Sequence, residues 1–347
     1  MQFYDKSGYL NFRKVRDIGM PFTLIIGGRG SGKTYGALKT SIEDDKIFAF
    51  MRRKQTQLDI INKPEFSPIK PVCRDTGWKY TMRPIAKGLS GFVPYEIGED
   101  GKSEVISGPP VGYTCALSTI ANLRGFDASE IDLLIYDEFI PEKAERPLQN
   151  EADALFNCYE TFNRNRELQG RAPLQLICMA NANDQTAPIL ESLRLIKRLD
   201  RMRKTGTEWY KDAQRGLALI LLQDSPISAA KKETALYRLT SGTDYAEMAL
   251  DNKFAYEDRG EGEIVSRPLT EYRPIVEVGE ITIYKHKSNG MYYVSGHRMG
   301  TPQHFAATET DLARFRRSYQ WLAAAHLDGY VEFEDFLCRV LLTKYVI

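Results

Sequence analysis

Short, unbroken apolar runs punctuate the first two hundred residues, and each stops abruptly at glycine or charge. Phe22 to Ile26 (FTLII) closes on Gly27 and Gly28, and residues 46–51 (KIFAFM) close on Arg52, Arg53 and Lys54. Residues 131–136 (IDLLIY) and 174–179 (LQLICM) are a third and a fourth such run. Runs of this length, β-branched and apolar at successive positions, predict strands buried on both faces of a parallel sheet. Residues 34–42 and 150–168 lie between them and read as helices. Strands alternating with helices predict an α/β fold with right-handed crossovers. Residues 78–118 read as antiparallel hairpins, with Asp100-Gly101 marking one turn.

The pattern shifts near residue 193. Residues 194–204 carry six basic side chains and one acid, and the stretch reads as a surface helix or linker. Residues 216–222 are a possible strand, and 224–254 hold Ser-Pro, Ser-Gly and other polar turns. A hairpin follows over residues 281–287 and 291–295, turning at Ser288-Asn289-Gly290. Thr308 with Asp311 resembles a capping box. Leu312, Phe315, Tyr319, Leu322 and His326 then continue at helical spacing until Gly329. The expected division is residues 1–204, an α/β domain; 205–254, a linker subdomain; and 255–347, a small α+β domain.

Composition narrows this picture by exclusion. With 347 residues, 43% of them hydrophobic, the chain can bury a core without disulfides or metal. The five cysteines (73, 115, 158, 178 and 338) are odd in number and show no CxxC spacing. They read as reduced thiols rather than a zinc ribbon or a disulfide framework. No apolar run approaches the ~20 residues of a membrane span, and no signal peptide is visible, so a soluble intracellular protein is expected. A net charge of +1 offers no bulk attraction for nucleic acid. Any polyanion site must come from local geometry.

Such a site is written in Gly27, Gly28, Arg29, Gly30, Ser31, Gly32, Lys33 and Thr34, which fit G-x-x-x-x-G-K-[ST]. Glycines let backbone amides wrap phosphate, and the helix that follows adds its positive end. Lys33 is expected to reach the β- and γ-phosphates of ATP, and the Thr34 hydroxyl to ligate Mg²⁺. The context the motif needs, a buried strand before and a helix after, is present. Arg29, inside the loop, either touches phosphate or stands in solvent.

The run LLIY ends in Asp137 and Glu138, the Walker B pattern. An acid at the carboxyl end of a parallel strand faces the ligand crevice. Asp137 is therefore expected to hold Mg²⁺, and Glu138 to orient and deprotonate the attacking water. Asn181, after the LQLICM run, could sense the γ-phosphate. Arg164 could complete a neighbour's site, and Arg124 is a weaker candidate of the same kind. Taken alone, Arg164 also reads as surface charge and Asn181 as a strand-end turn.

These motifs resemble those of the phi29-type bacteriophage DNA-packaging ATPases, terminase-like motors. The resemblance rests on GGRGSGKT (27–34), FAFMRRK (48–54), DEFIPEK (137–143), RNRE (164–167), MANA (179–182) and GTDYAEMALDNKF (242–254). It implies an ASCE-class P-loop ATPase acting as a homopentameric ring. Such a ring docks on the portal of a procapsid in the host cytoplasm and drives double-stranded DNA inward. It further implies Glu138 as catalytic glutamate, Asp137 as magnesium acid, Arg164 as trans arginine finger and Arg124 as a second trans basic residue. Arg29 matches the family's P-loop arginine, and Asn181 sits at its coupling motif. Lys143 matches a residue facing the DNA channel, and Lys54 is a further candidate for that surface. Packaging RNA is a possible partner. Residues 255–347 are expected to form a vestigial RNase H-like nuclease domain, because the hairpin strands hold no Asp or Glu with which to bind two metals. Two alternatives stay open, a full terminase that also cuts DNA and a P-loop phage assembly factor.

Overall fold

The computed structural model describes residues 3–123, 127–142, 145, 148–182, 187–222, 225–243, 246 and 263–346. The chain forms two compact units, Met1–Leu193 with Met202–Ala255, and Arg194–Arg201 with Tyr256–Ile347.

The first unit is built on ten strands. They are β1 (Phe22–Gly27), β2 (Phe48–Arg52), β3 (Tyr80–Ala86), β4 (Leu89–Ile97), β5 (Glu104–Ile106), β6 (Gly112–Ala116), β7 (Leu133–Asp137), β8 (Gln175–Ala180), β9 (Trp209–Asp212) and β10 (Leu217–Leu222). The sheet order is β3-β4-β6-β2-β7-β8-β1-β10-β9, with β5 on β4. From β6 to β10 every neighbouring pair is parallel, and the antiparallel pairs are confined to the two flanks. The four apolar runs read from the sequence are thus β1, β2, β7 and β8. Their side chains are buried because helices cover both faces, as a parallel sheet requires. Strand β10 pairs with β1 from inside the stretch read as a linker, so that stretch contributes to the central sheet.

The helices from residue 12 to residue 239 are α1 (Phe12–Arg16), α2 (Lys33–Glu43), α3 (Gln55–Ile61), α4 (Ile69–Thr76), α5 (Glu151–Asn163), α6 (Pro188–Ser192), α7 (Ile196–Lys204, of which residues 196–201 belong to the second unit), α8 (Pro226–Lys232) and α9 (Ala235–Leu239). Helix α5 stops short of the predicted residue 168. Arg164 takes a left-handed conformation (φ +47°), which ends the helical ladder, and only a short 3₁₀ turn at Glu167–Gln169 follows.

A buried ion cluster fixes where α5 begins. Arg53, fully buried, donates from Nε and Nη2 to the two carboxylate oxygens of Glu151 at 2.7 and 2.8 Å. The Tyr136 hydroxyl donates to Glu151 at 2.9 Å, and Glu145 lies 2.8 Å from Arg53 Nη1. Removing one partner strands a charge in a dry interior, at a cost of about 3–5 kcal/mol. Glu151→Ala is therefore expected to lower the urea-unfolding free energy by about that amount. An unchanged midpoint would show that the cluster does not anchor α5.

The second unit is a five-stranded sheet in the order β14-β11-β12-β13-β15. Its strands are β11 (Tyr272–Val278), β12 (Ile281–His286), β13 (Tyr292–Ser295), β14 (Gln303–Phe305) and β15 (Val331–Phe333). The central hairpins are antiparallel, whereas β14 and β15 pair in parallel with β11 and β13. Val276, Ile283, Val294, Phe315, Leu322, Phe333 and Leu342 form its core. Thr308 caps the helix Glu309–Ser318, accepting from the Asp311 amide at 3.4 Å. The single helix expected up to residue 326 breaks at Tyr319 and Gln320 and resumes over Trp321–Leu327. Gly329, at φ +77°, lies just beyond it. Among the described residues no helix is long and apolar enough to cross a membrane.

Candidate nucleotide site

Parallel pairing brings three chain segments level at the carboxyl edge of the first sheet. Ile26 pairs with Ala180, and Met179 with Asp137, so β8 stands between the glycine loop and the acid pair. The loop turns at Gly30 (φ +68°) and Gly32 (φ +83°), conformations costly for any residue with a Cβ. Helix α2 begins at Lys33.

The functional side chains converge there. Thr34 Oγ1 donates to Asp137 Oδ2 at 2.8 Å. Lys33 Nζ lies 3.0 and 2.8 Å from the Gly27 and Gly28 carbonyls, and 3.2 Å from Asn181 Oδ1. The Ser31 hydroxyl donates to the Gly28 carbonyl at 3.0 Å. A cavity of about 240 Å³ opens among residues 29–34, Asp137, Glu138 and Asn181. Burial pushes the Lys33 ammonium down to about 8, against the pull of Asp137. Burial also raises the Asp137 carboxyl, although Arg52 and the Thr34 hydroxyl oppose it. Both groups therefore stand in a setting that an added anion and cation would relieve. The hydroxyl and carboxylate of Thr34 and Asp137 are hard oxygen donors, which fit Mg²⁺ beside a triphosphate.

Glu138 follows the end of β7 at φ +61°, a strained conformation for a residue with a side chain. That turn leaves its side chain 44% exposed at the cavity while Asp137 is buried. Arg29, also at the cavity, forms an ion pair with Glu142.

Arg52 escaped the sequence reading. It ends β2 beside β7, lies 3.1 Å from Asp137 and also pairs with Glu138. The available signal was its place at the end of an apolar run, but choosing it over Arg53 and Lys54 required the register of β2 on β7.

Other candidates lie elsewhere. Arg164 is half-exposed and stands 4.0 Å from Asp127, which precedes β7, so it sits at the edge of the sheet away from its own glycine loop. Arg166 is buried instead, donating to the Ser129 and Ile131 carbonyls. Lys54 heads α3 and pairs with Glu145 at 3.0 Å. Arg124 and Lys143 lie outside the described residues.

A family model, the podovirus DNA encapsidation protein (Gp16), matches residues 87–346. The chain belongs to this family. The match spans Asp137, Glu138, Arg164 and Asn181 and begins beyond the glycine loop. Alignments with whole-chain relatives extend across that part of the sequence. The DNA packaging proteins of Bacillus phages phi29 and PZA are each 26% identical, with 96% of either chain covered. Among solved structures, a chain of the bacteriophage phi29 viral genome packaging motor assembly superposes with a TM-score of 0.66 at 21% identity. That alignment covers 98% of this chain and 99% of the other, and it shows a common fold.

Proposed function

We propose that this encapsidation protein is an ATP-hydrolysing motor that moves double-stranded DNA into a procapsid as a homo-oligomeric ring. The observation that carries the reading is the convergence of Lys33, Thr34, Asp137 and Asn181 on one cavity at the carboxyl edge of a parallel sheet. Lys33 and the loop amides bind the triphosphate, and Thr34 and Asp137 hold Mg²⁺. The ion supplies charge neutralisation on the phosphate oxygens. Glu138 accepts the proton of the attacking water, and Arg164 of a neighbouring subunit stabilises the transferring group. Arg29 and Asn181 line the same cavity, and loss of the terminal phosphate would be read out through them.

The second unit docks the ring on the portal, or on a packaging RNA, without cutting DNA. Three of its acids support this reading because each already has polar or charged protein partners. Glu334 accepts from Ser295, Gly296 and His297, Asp335 pairs with Lys197 at 2.9 Å, and Glu277 is held by Arg298 and His304.

The test is ATP turnover by the purified protein with and without double-stranded DNA, across salt. Stimulation independent of DNA sequence and falling steeply with ionic strength is expected, because contacts to the backbone release counterions. Turnover indifferent to DNA at low salt would overturn the motor reading.

A further inference from the structure

Helix α8 carries no motif, yet its start is tied to the N-terminal segment beside the glycine loop and its far end to the loop itself. At its start, the Ser225 hydroxyl donates to the Gly8 carbonyl at 3.3 Å. Pro226 packs on Gly8, which is at φ +84°, so closely that an added Cβ would come within 2.9 Å of the proline ring. The same N-terminal segment grips the loop from outside. The Leu10 amide donates to the Ser31 carbonyl at 2.8 Å, and Tyr9 lies against Gly32. At the far end of α8, the Lys231 ammonium donates to the Arg29 carbonyl. It occupies the space over Gly30 where a Cβ would stand. Gly30 is favoured by its left-handed backbone, and a side chain there would displace this lysine.

Three cations, Lys33, Arg29 and Lys231, now surround one loop, and among the described residues Arg29 alone of the three forms an ion pair, with Glu142. Lys231 itself is half-buried, and burial lowers its pKa. Like charges gathered where water is partly excluded are unfavourable until an anion joins them. One ammonium proton of Lys231 is used by the Arg29 carbonyl, and two remain to donate.

We propose that Lys231 is a second triphosphate ligand, supplied by α8, that addresses the outermost phosphate. This rests on the nucleotide reading above. By its motif Lys33 reaches the β- and γ-phosphates, and the amides at the start of α2 hold the inner ones. Arg29 and Gly30, which Lys231 covers, stand at the crown of the loop, ahead of that helix. Lys231 thereby ties the segment after β10 to the presence of the terminal phosphate.

Calorimetric titration of the full-length chain with Mg-ATP and Mg-ADP tests this. Lys231→Gln keeps an N–H donor, on a side chain one atom shorter, and removes the charge. It is expected to weaken ATP binding by about ten-fold or more while changing ADP binding by less than about threefold, since charged hydrogen bonds are the strong ones. Lys231→Arg is expected to restore most of the affinity, and the melting temperature without nucleotide should not move. Lys231→Gln binding ATP like the wild type, or losing ATP and ADP equally, would overturn the inference. A wild-type chain that does not bind ATP, or a Lys33→Ala chain that binds it undiminished, would overturn the nucleotide reading and this inference with it.

Discussion

Glu138→Gln is expected to bind Mg-ATP as the wild type does and to turn it over about 10²–10⁴-fold more slowly, the range for loss of a general base. The substitution keeps size and hydrogen-bonding capacity and removes the group that takes the proton. The geometry favours Glu138 over its neighbour for this task. Asp137 is buried and committed to the Thr34 hydroxyl, whereas Glu138 is turned by its left-handed backbone into the cavity with much of its carboxylate exposed. Arg52 pairs with both acids, so the neutral amide also frees Arg52 from one partner. That change acts on binding, and measuring affinity separately from turnover isolates it. Phosphate release under saturating ATP, together with calorimetric affinity, is the measurement. Turnover within about threefold of wild type would remove the base assignment.

The parts of this site that were legible in the sequence are those encoded locally. A glycine loop between a β-branched run and a helix, and an acid pair closing an apolar run, each carry their geometry in consecutive residues. Pairing supplied the rest. Arg52 became visible only once β2 was known to lie beside β7, and Lys231 reaches Arg29 from 202 residues away. The end of α5 was misjudged for a similar reason. Arg164 adopts a left-handed conformation that its own residue type does not announce, as a glycine would have done. The break at Tyr319, where the backbone leaves the helical region (φ −124°, ψ 27°), likewise interrupts an apolar spacing that is continuous in sequence. The strand character of residues 217–222 was readable, but not their partner, and that partner, β1, draws them into the central sheet.

Subunits carrying Arg164→Ala and subunits carrying Glu138→Gln should each be nearly inactive alone and regain activity when mixed. The reason lies in the direction of β7. Arg164 stands beside Asp127 and Arg166 beside Asp132, both ahead of the strand, whereas Glu138 follows its end. Five residues of strand separate these ends by roughly 16 Å, so Arg164 is remote from the nucleotide cavity of its own chain. An arginine at that distance would contribute to hydrolysis across an interface, and in the proposed ring heterologous contacts would bring one subunit's leading edge to the next subunit's crevice. Arginine fingers are worth about 10³–10⁵ in rate, so Arg164→Ala alone should lose about that much. In a random equal mixture, about a quarter of the sites combine an intact Glu138 with a neighbour's intact Arg164, because heterologous interfaces pair the two at random. Steady-state ATPase activity across mixing ratios should therefore pass through a maximum near equal proportions. A flat, inactive profile would remove Arg164 from the trans role. Full activity of the Arg164→Ala chain alone would remove it from hydrolysis altogether.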